Sequence, residues 1–339
     1  MSPSSILYLI IAISVISYLF DQFLDYLNLK AQRKDIPAEI ADFYDKEKYQ
    51  KSLDYQGDQQ RFSFISSAFS FVLSLLMLLL GGFGWLDAML RPFLDNEILL
   101  ALAFFGTLMI ASDILGIPFQ LYSTFVIEEK YGFNKTTVKT FILDKLKGYA
   151  LGAVIGGALL SLLLYLVQYI GPNFWIWFGL IAAAFTLLVN MFYTSLFLPL
   201  FNKLTPLDNG ELKTAIESFS KKVNFPLDNI FVMDGSKRSA KANAFFSGIG
   251  KKKKIVLYDT LITNHTTEEL VAVLAHEVGH FKKKHIVWSY MISIVQIFFV
   301  LFVLSKMIFN QDLSIALGGS VQAIHLNLIA FGILFSPIS

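Results

Sequence analysis

Cysteine is absent from the 339-residue sequence, so the protein has neither disulfide bonds nor thiolate-bound zinc. Any metal site must therefore use histidine and carboxylate side chains. Charged residues are also scarce, at 16% of the chain, and the formal net charge is only +2. So small a charge argues against a nucleic-acid-binding protein, although residues 251–254 form one dense basic run.

Long apolar runs are the main feature of the sequence. Hydrophobic residues make up 55% of the chain and collect in blocks of about 20 residues, the length that a helix needs to cross a bilayer. We therefore predict six or seven membrane-spanning helices. They are expected at residues 5–23, 62–86, 98–121, 149–170, 174–200, 286–308 and 313–335.

Lysine and arginine are distributed unevenly among the loops. They are frequent after the first predicted helix, beginning with Lys30, and after the third, beginning with Lys130. The alternate loops hold few basic residues, and Arg91 is the only one between helices two and three. By the positive-inside rule, we expect the N terminus outside and the basic loops in the cytoplasm, together with the polar segment 201–285.

The chain is therefore expected to have three parts. Residues 1–200 hold five transmembrane helices, residues 201–285 form a polar catalytic segment, and residues 286–339 hold transmembrane helices six and seven. Within the polar segment, periodicity predicts a helix at 210–222 and strands at 230–233, 242–246 and 255–258, hence a small mixed α/β unit. Thr266 and Glu269 have the spacing of a capping box, which predicts the start of a further helix.

That helix contains the HExxH sequence at residues 276–280. Residues four apart lie on one helix face, so His276 and His280 can bind one zinc ion. Glu277 is adjacent and can activate a zinc-bound water by accepting its proton, the chemistry of metal-assisted peptide hydrolysis. We therefore predict one Zn²⁺ per chain, with His276 and His280 as metal ligands and Glu277 as the catalytic residue.

Around this motif the chain resembles the type-1 CAAX prenyl proteases, a family of integral-membrane zinc metalloproteases. The resemblance covers nearly the whole chain and is carried by four blocks of sequence. The blocks are residues 127–136 (IEEKYGFNKT), 199–207 (PLFNKLTPL), 234–246 (DGSKRSAKANAFF) and 255–261 (IVLYDTL). The resemblance implies an all-α multi-spanning membrane protein, about seven transmembrane helices enclosing a chamber, with a small α/β zincin-like cytoplasmic catalytic segment.

The resemblance also implies roles for residues outside the motif. The segment of the family that matches Asn243, Ala244 and Phe245 is an edge strand to which the extended substrate pairs, so we expect these residues to bind substrate. The family's third zinc ligand is a Glu in a polar segment that follows the seventh helix. We therefore expect that ligand beyond residue 339, and a chain that is truncated at this point.

Four other ionisable side chains could in principle complete the zinc site. Glu269 lies seven residues before the motif, about 10 Å along the helix. His285 lies about 140° round the helix from the second motif histidine, and the lysines at 282–284 between them predict a solvated turn. Neither is expected to reach the ion. His265 is expected to cap a helix or to be exposed, and His325 to form a hydrogen bond between helices inside the membrane.

These features predict a zinc-dependent membrane endopeptidase that cuts near the C terminus of CAAX-type prenylated polypeptides. Its expected partners are peptide or protein substrates with an extended C-terminal segment, with or without a prenyl group, and membrane lipid, but no nucleic acid. We expect it in the endoplasmic reticulum membrane of a eukaryote or the inner (plasma) membrane of a bacterium. Two alternatives stay open: a quality-control metalloprotease without a prenyl requirement, and a non-catalytic scaffold, since the third zinc ligand is missing from this chain.

Overall fold

The computed structural model describes residues 1–33, 35–43, 45–225, 227–247 and 253–338. Two residues of the basic run, Lys251 and Lys252, lie outside the described residues. The described chain divides into two compact units. Unit 1 comprises Met1–Tyr131, Gly156–Phe174 and Phe302–Ser339, and unit 2 comprises Gly132–Ile155 and Trp175–Leu301.

Helices dominate both units, and a small sheet lies in unit 2. In the first half of the chain the α-helices are α1 (Pro3–Lys30), α2 (Lys46–Leu79), α3 (Gly82–Leu90), α4 (Glu97–Tyr122), α5 (Val138–Leu151), α6 (Gly157–Ile170), α7 (Phe174–Phe192) and α8 (Leu198–Phe201). In the second half they are α9 (Glu211–Lys222), α10 (Asp259–Asn264), α11 (Thr267–Lys282), α12 (His285–Met307), α13 (Gln311–Ala316) and α14 (Ile324–Phe335). The strands are β1 (Leu204–Pro206), β2 (Leu227–Met233), β3 (Ala244–Ser247) and β4 (Lys253–Tyr258).

Five helical segments of the described chain are long and apolar enough to cross a membrane. They are Pro3–Lys30, Lys46–Leu79, Glu97–Glu128, Val138–Phe201 and Val287–Met307. The fourth is 64 residues long and contains a turn at Gly171, where φ is +67°, so it includes two of the predicted helices. The protein is therefore a multi-pass integral membrane protein of mostly helical structure, and the expected number of about seven spans is only approximate.

The predicted second span, at 62–86, has different ends in the structure. Helix α2 begins at Lys46 and stops at Leu79. Gly81, with φ of +66°, then separates it from α3. A backbone in the left-handed region is incompatible with a continuing right-handed helix, and glycine adopts that region without steric cost. Hydropathy follows composition alone and cannot detect such a break.

The predicted seventh span, at 313–335, is wrong as a single helix, because α13 and α14 are separated by a turn. Packing within unit 1 explains the turn. The Gly84 amide donates to the Leu317 carbonyl at 2.9 Å, and a Cβ built on Gly84 would lie 2.0 Å from the Gly318 carbonyl oxygen. The chain therefore turns after α13, where its backbone packs directly against the backbone of α3. Only glycine at position 84 allows so close an approach.

The sheet of unit 2 confirms the mixed α/β prediction for the polar segment. Its strand order is β1-β2-β4-β3, with β2 and β4 parallel and the two outer strands antiparallel to their neighbours. The three predicted strands lie within one to three residues of β2, β3 and β4, and the predicted helix corresponds to α9. β1 is an additional short strand, too short to give a clear alternation in the sequence.

Helix α11 begins as predicted, at a capping box. The Thr266 amide donates to Glu269 Oε2 at 2.9 Å, and the Glu269 amide donates to Thr266 Oγ1 at 3.3 Å. The helix buries a stripe at four-residue spacing, formed by Leu270, Leu274 and Val278. Leu270 and Leu274 join the core between α9 and the sheet, each only 2% exposed. This packing fixes which face of α11 is turned away from the core.

Replacement of Thr266 by alanine removes one half of the capping box. We expect Thr266→Ala to destabilise α11 by about 1 kcal/mol, because the Glu269 amide loses its acceptor at the helix start. Hydrogen exchange of the first-turn amides of α11 measures the effect. Thr263→Ala is the matched control, since the Thr263 hydroxyl donates to the Asp259 carbonyl of α10 and takes no part in the cap. Equal loss of protection in both variants would contradict the assignment.

Candidate functional site

The two motif histidines meet on the exposed side of α11. Their Nε2 atoms lie 3.1 Å apart, and both side chains are exposed, whereas Val278 between them is buried. A tetrahedral zinc ion at 2.0–2.1 Å from two nitrogens would separate them by about 3.3–3.4 Å. The observed arrangement of His276 and His280 therefore fits two ligands of one zinc ion with little movement.

His285 is the residue of this site that the sequence interpretation missed. Its Nδ1 lies 2.9 Å from Nδ1 of His280, on the side of the ring opposite the contact with His276. The turn expected at 282–284 is present, but the 140° separation assumes the geometry of an uninterrupted helix. In the structure α11 ends at Lys282, and Lys284, with φ of +55°, reverses the chain so that α12 starts at His285.

The contact with His285 bears on which ring nitrogen of His280 carries a proton when the other nitrogen binds metal. A neutral imidazole carries one proton, so a His280 that binds metal through Nε2 carries its proton on Nδ1. That N–H then donates to Nδ1 of His285. Hydrogen bonds of this kind orient metal-binding histidines and increase their basicity. His285 is therefore placed to orient His280 through this hydrogen bond.

Glu277 lines a cavity of about 550 Å³ within unit 2, together with His280 and His285. The rest of the wall comes from five elements or loops of the unit and is mainly apolar, with the polar side chains of Thr186, Asn190, Ser289 and Ser293 among the aromatic rings. Its phenylalanines are Phe225, Phe245, Phe246 and Phe281. Ring contacts at 5.0–5.2 Å join Phe225 to Phe246 and to Phe281, so these three side chains form one wall. The cavity therefore combines one carboxylate with an apolar surface large enough for a substrate side chain.

Among the residues that the structure describes, no group of three or more His, Cys, Asp or Glu side chains is arranged to hold a metal ion. Glu269 is held in the capping box, and the His265 ring contacts the Leu261 carbonyl at 3.1 Å. His325 belongs to unit 1, is 1% exposed and contacts Asp87 at 2.9 Å, a hydrogen bond between helices as expected. The described residues thus supply two of the ligands that a zinc ion needs.

β3 is an edge strand, in agreement with the expectation for the segment from Asn243. It pairs with β4 on one side, and no described strand pairs with its other side. The Asn243 carbonyl accepts from the Tyr258 amide at 3.0 Å. Because backbone groups alternate along an antiparallel ladder, Ala244 and Phe246 direct their N–H and C=O groups to the open edge. The Ala244 amide already donates to Asn243 Oδ1 at 2.9 Å.

The four sequence blocks converge within unit 2 on Arg238 and its neighbours. The Arg238 guanidinium binds the Asp144 carboxylate at 2.7 and 2.9 Å and the Phe201 carbonyl at 2.8 Å. Its own carbonyl accepts from the Lys135 amide at 3.0 Å. Asp234 accepts from the Lys203 amide at 2.7 Å. These contacts join the first, second and third blocks directly.

The fourth block joins the same network through Asp259. Its carboxylate accepts from the amide and the hydroxyl of Ser236. The blocks are thus distant in sequence but form one polar network that leads into β3 and β4 and on to α11. Arg238 and Asp144 are 94 residues apart, so no spacing in the sequence could have predicted their pairing.

Comparison with known proteins agrees with this geometry. The family described as CAAX prenyl protease N-terminal, five membrane helices, matches residues 25–203, and Peptidase family M48 matches residues 206–337. The chain belongs to the CAAX prenyl protease family. Membership in this metallopeptidase family implies a metal cofactor and confirms the resemblance carried by the four blocks.

Individual relatives extend over most of the chain. Probable CAAX prenyl protease 1 of Schizosaccharomyces pombe is 39% identical over 83% of this chain, and a CAAX prenyl protease 1 homolog of Arabidopsis thaliana is 36% identical over 95%. The crystal structure of S. mikatae Ste24p matches with a TM-score of 0.92 and 32% identity, over 98% of this chain and 82% of that chain. The chain spans 62% of the S. pombe protein and 78% of the Arabidopsis protein.

The positioning role of His285 can be tested through metal affinity. We expect His285→Ala to weaken zinc binding about 10- to 100-fold, because His280 loses the acceptor for its Nδ1 proton. Competition with a chromophoric zinc chelator measures the affinity without any assay of activity. His265→Ala is the control, since His265 contacts a backbone carbonyl away from the pair. Unchanged affinity in His285→Ala would contradict the role.

Proposed function

We propose that the protein is a zinc-dependent membrane endopeptidase that cuts near the C terminus of CAAX-type polypeptides. The observation that carries the proposal is the meeting of the His276 and His280 nitrogens at 3.1 Å beside Glu277 and an edge strand, in a chain of this family. His276 and His280 would hold the zinc ion, with the third ligand, a Glu, expected from the polar segment that follows the seventh helix in the family. The names of the relatives support a prenylated peptide or protein as substrate.

The residues of the chain have distinct tasks in this reaction. When bound, zinc lowers the pKa of water and polarises a carbonyl. Glu277 accepts the proton of the attacking water on its carboxylate and delivers it to the nitrogen of the departing amine, so that the peptide C–N bond breaks. His285 keeps the proton of His280 on Nδ1. The aromatic wall beside Glu277 accommodates an apolar substrate side chain.

The substrate is bound by main-chain pairing as well as by this wall. An extended peptide adds to the outer edge of β3 and pairs with the Ala244 carbonyl and with the N–H and C=O groups of Phe246. Asn243 lies beside this edge, where its Oδ1 accepts from the Ala244 amide and its side chain is placed to contact the peptide. Phe245 and Phe246 both line the cavity with Glu277, so the strand that aligns the peptide also borders the catalytic carboxylate.

We also propose that the catalytic segment faces the cytoplasm. The support is the concentration of lysine and arginine in alternate loops. The membrane would be the endoplasmic reticulum in a eukaryote or the plasma membrane in a bacterium. Without prenylated substrates, the same site would serve quality control of membrane proteins, and cleavage of clients without a prenyl group distinguishes that activity.

Removal of the catalytic carboxylate tests the chemical step. We expect Glu277→Gln to lower the rate of peptide hydrolysis by about 100-fold or more, since no group then accepts the water proton, while zinc content stays unchanged. Cleavage of a farnesylated CAAX peptide by the full-length protein in detergent measures the rate. Glu268→Gln, an exposed carboxylate in the first turn of α11, is the control. Activity of Glu277→Gln near the wild-type level would contradict the role of Glu277.

Main-chain pairing at β3 predicts an alternating pattern. A substrate peptide N-methylated at a residue that faces β3 loses one hydrogen bond, which should weaken its binding roughly fivefold, whereas methylation of the next residue should have little effect. A series of peptides methylated one residue at a time, assayed for inhibition of cleavage, measures this. The unmethylated peptide is the reference. Uniform effects along the series would rule out a β-strand mode of binding.

A further inference from the structure

A groove in unit 1 runs between two membrane-spanning helices, α2 and α4. It has a volume of about 580 Å³, and its walls are mainly apolar. They include Phe69, Leu73 and Met77 of α2 and Leu108, Leu115 and Phe119 of α4. Ala111, Ser112 and Gly116 lie between the larger side chains of α4 and leave room for a ligand. Because both helices span the membrane, the groove is suited to a hydrocarbon chain.

The same pair of helices forms a second cavity towards the polar end of α2. This cavity has a volume of about 470 Å³, and its lining includes Arg61, Phe62, Tyr122 and Lys130. Phe119 of the groove contacts Phe62 of this cavity, with ring centroids 6.1 Å apart. The apolar groove and the basic cavity are therefore consecutive along one seam between α2 and α4, which we call the α2–α4 groove.

The charge of the basic cavity comes from Arg61. The ammonium group of Lys130 lies 2.6 Å from Asp58 Oδ2, which also accepts from the Tyr131 hydroxyl at 2.7 Å, so Lys130 and Asp58 neutralise each other. Arg61 is exposed, and its positive charge also acts on Asp58, so the three charged side chains of the cavity leave one positive charge in excess. A guanidinium group binds anions that offer several oxygen acceptors, and phosphate is such an anion. Arg61 is therefore suited to bind a phosphate group.

The α2–α4 groove is long enough to cover one leaflet of a bilayer. Arg61 stands at the boundary where α2 changes from a polar to an apolar sequence. The lining of the groove on α2 begins at Ser66 and reaches Met77, about 7 to 24 Å along the helix from Arg61. Half of the hydrocarbon thickness is about 15 Å. A phosphate at Arg61 therefore lies at headgroup depth, and an acyl chain in the groove extends to the middle of the membrane.

We propose that the α2–α4 groove binds one anionic phospholipid, with its phosphate on Arg61 and one acyl chain between α2 and α4. Basic pockets between transmembrane helices at the membrane surface recognise acidic headgroups in this way. The apolar groove alone would accept any lipid. Selection of an anionic lipid depends on Arg61, because the other cation of the cavity is already neutralised.

Native mass spectrometry of the detergent-purified protein tests the proposal, with palmitoyl-oleoyl phosphatidylglycerol and phosphatidylcholine added in equal amounts. We expect wild type to retain one phosphatidylglycerol in preference, and Arg61→Gln to lower that preference about fivefold, as expected for one basic residue at a membrane surface. Arg61→Lys should keep most of it. Lys51→Gln removes an exposed cation of α2 outside the cavity and should change nothing.

A second variant tests the place of the acyl chain. Ala111→Phe fills the groove and should reduce retention of both lipids, while Arg61 still provides its charge. The proposal is overturned if wild type shows no preference, if Arg61→Gln and Lys51→Gln behave alike, or if Ala111→Phe retains lipid normally. Displacement of phosphatidylglycerol by a farnesylated peptide would also overturn it, because the groove would then be part of the substrate site.

Discussion

Everything at the candidate site depends on the packing of α11 against the sheet of unit 2. Leu270, Leu274 and Val278 are buried at four-residue spacing, and the capping box fixes where the helix begins. With that face and that start determined, His276 and His280 must lie together on the exposed side. Because residues four apart lie on the same face of a helix, the Nε2 atoms of the two histidines lie 3.1 Å apart.

The surroundings of α11 serve to hold that pair and to present a substrate. The end of the helix at Lys282 brings His285 to Nδ1 of His280, and no described strand pairs with the outer edge of β3 beside Glu277. The Arg238 network joins segments that are far apart in the sequence to the start of β3. The family-specific blocks therefore share a physical role. They hold in place the sheet that contains β3 and against which α11 packs.

Local patterns predicted local structure well. The capping box, the strands and the motif depend on neighbouring residues, so sequence periodicity and spacing sufficed. Longer-range features could not be predicted in this way. The turn between α13 and α14 arises from the approach of Gly318 to Gly84, and His285 reaches His280 because Lys284 adopts a left-handed backbone conformation. The chamber and the third zinc ligand, both implied by the family resemblance, stay predictions.

The central claim is that His276 and His280 bind a zinc ion on α11. Its most direct test is the zinc content of the purified protein, measured by mass spectrometry of the metal after dialysis against metal-free buffer. The proposed site predicts about one zinc per chain in wild type and its loss in both His276→Ala and His280→Ala, with the fold retained. Wild-type protein without zinc, or zinc that persists in both variants, would contradict it.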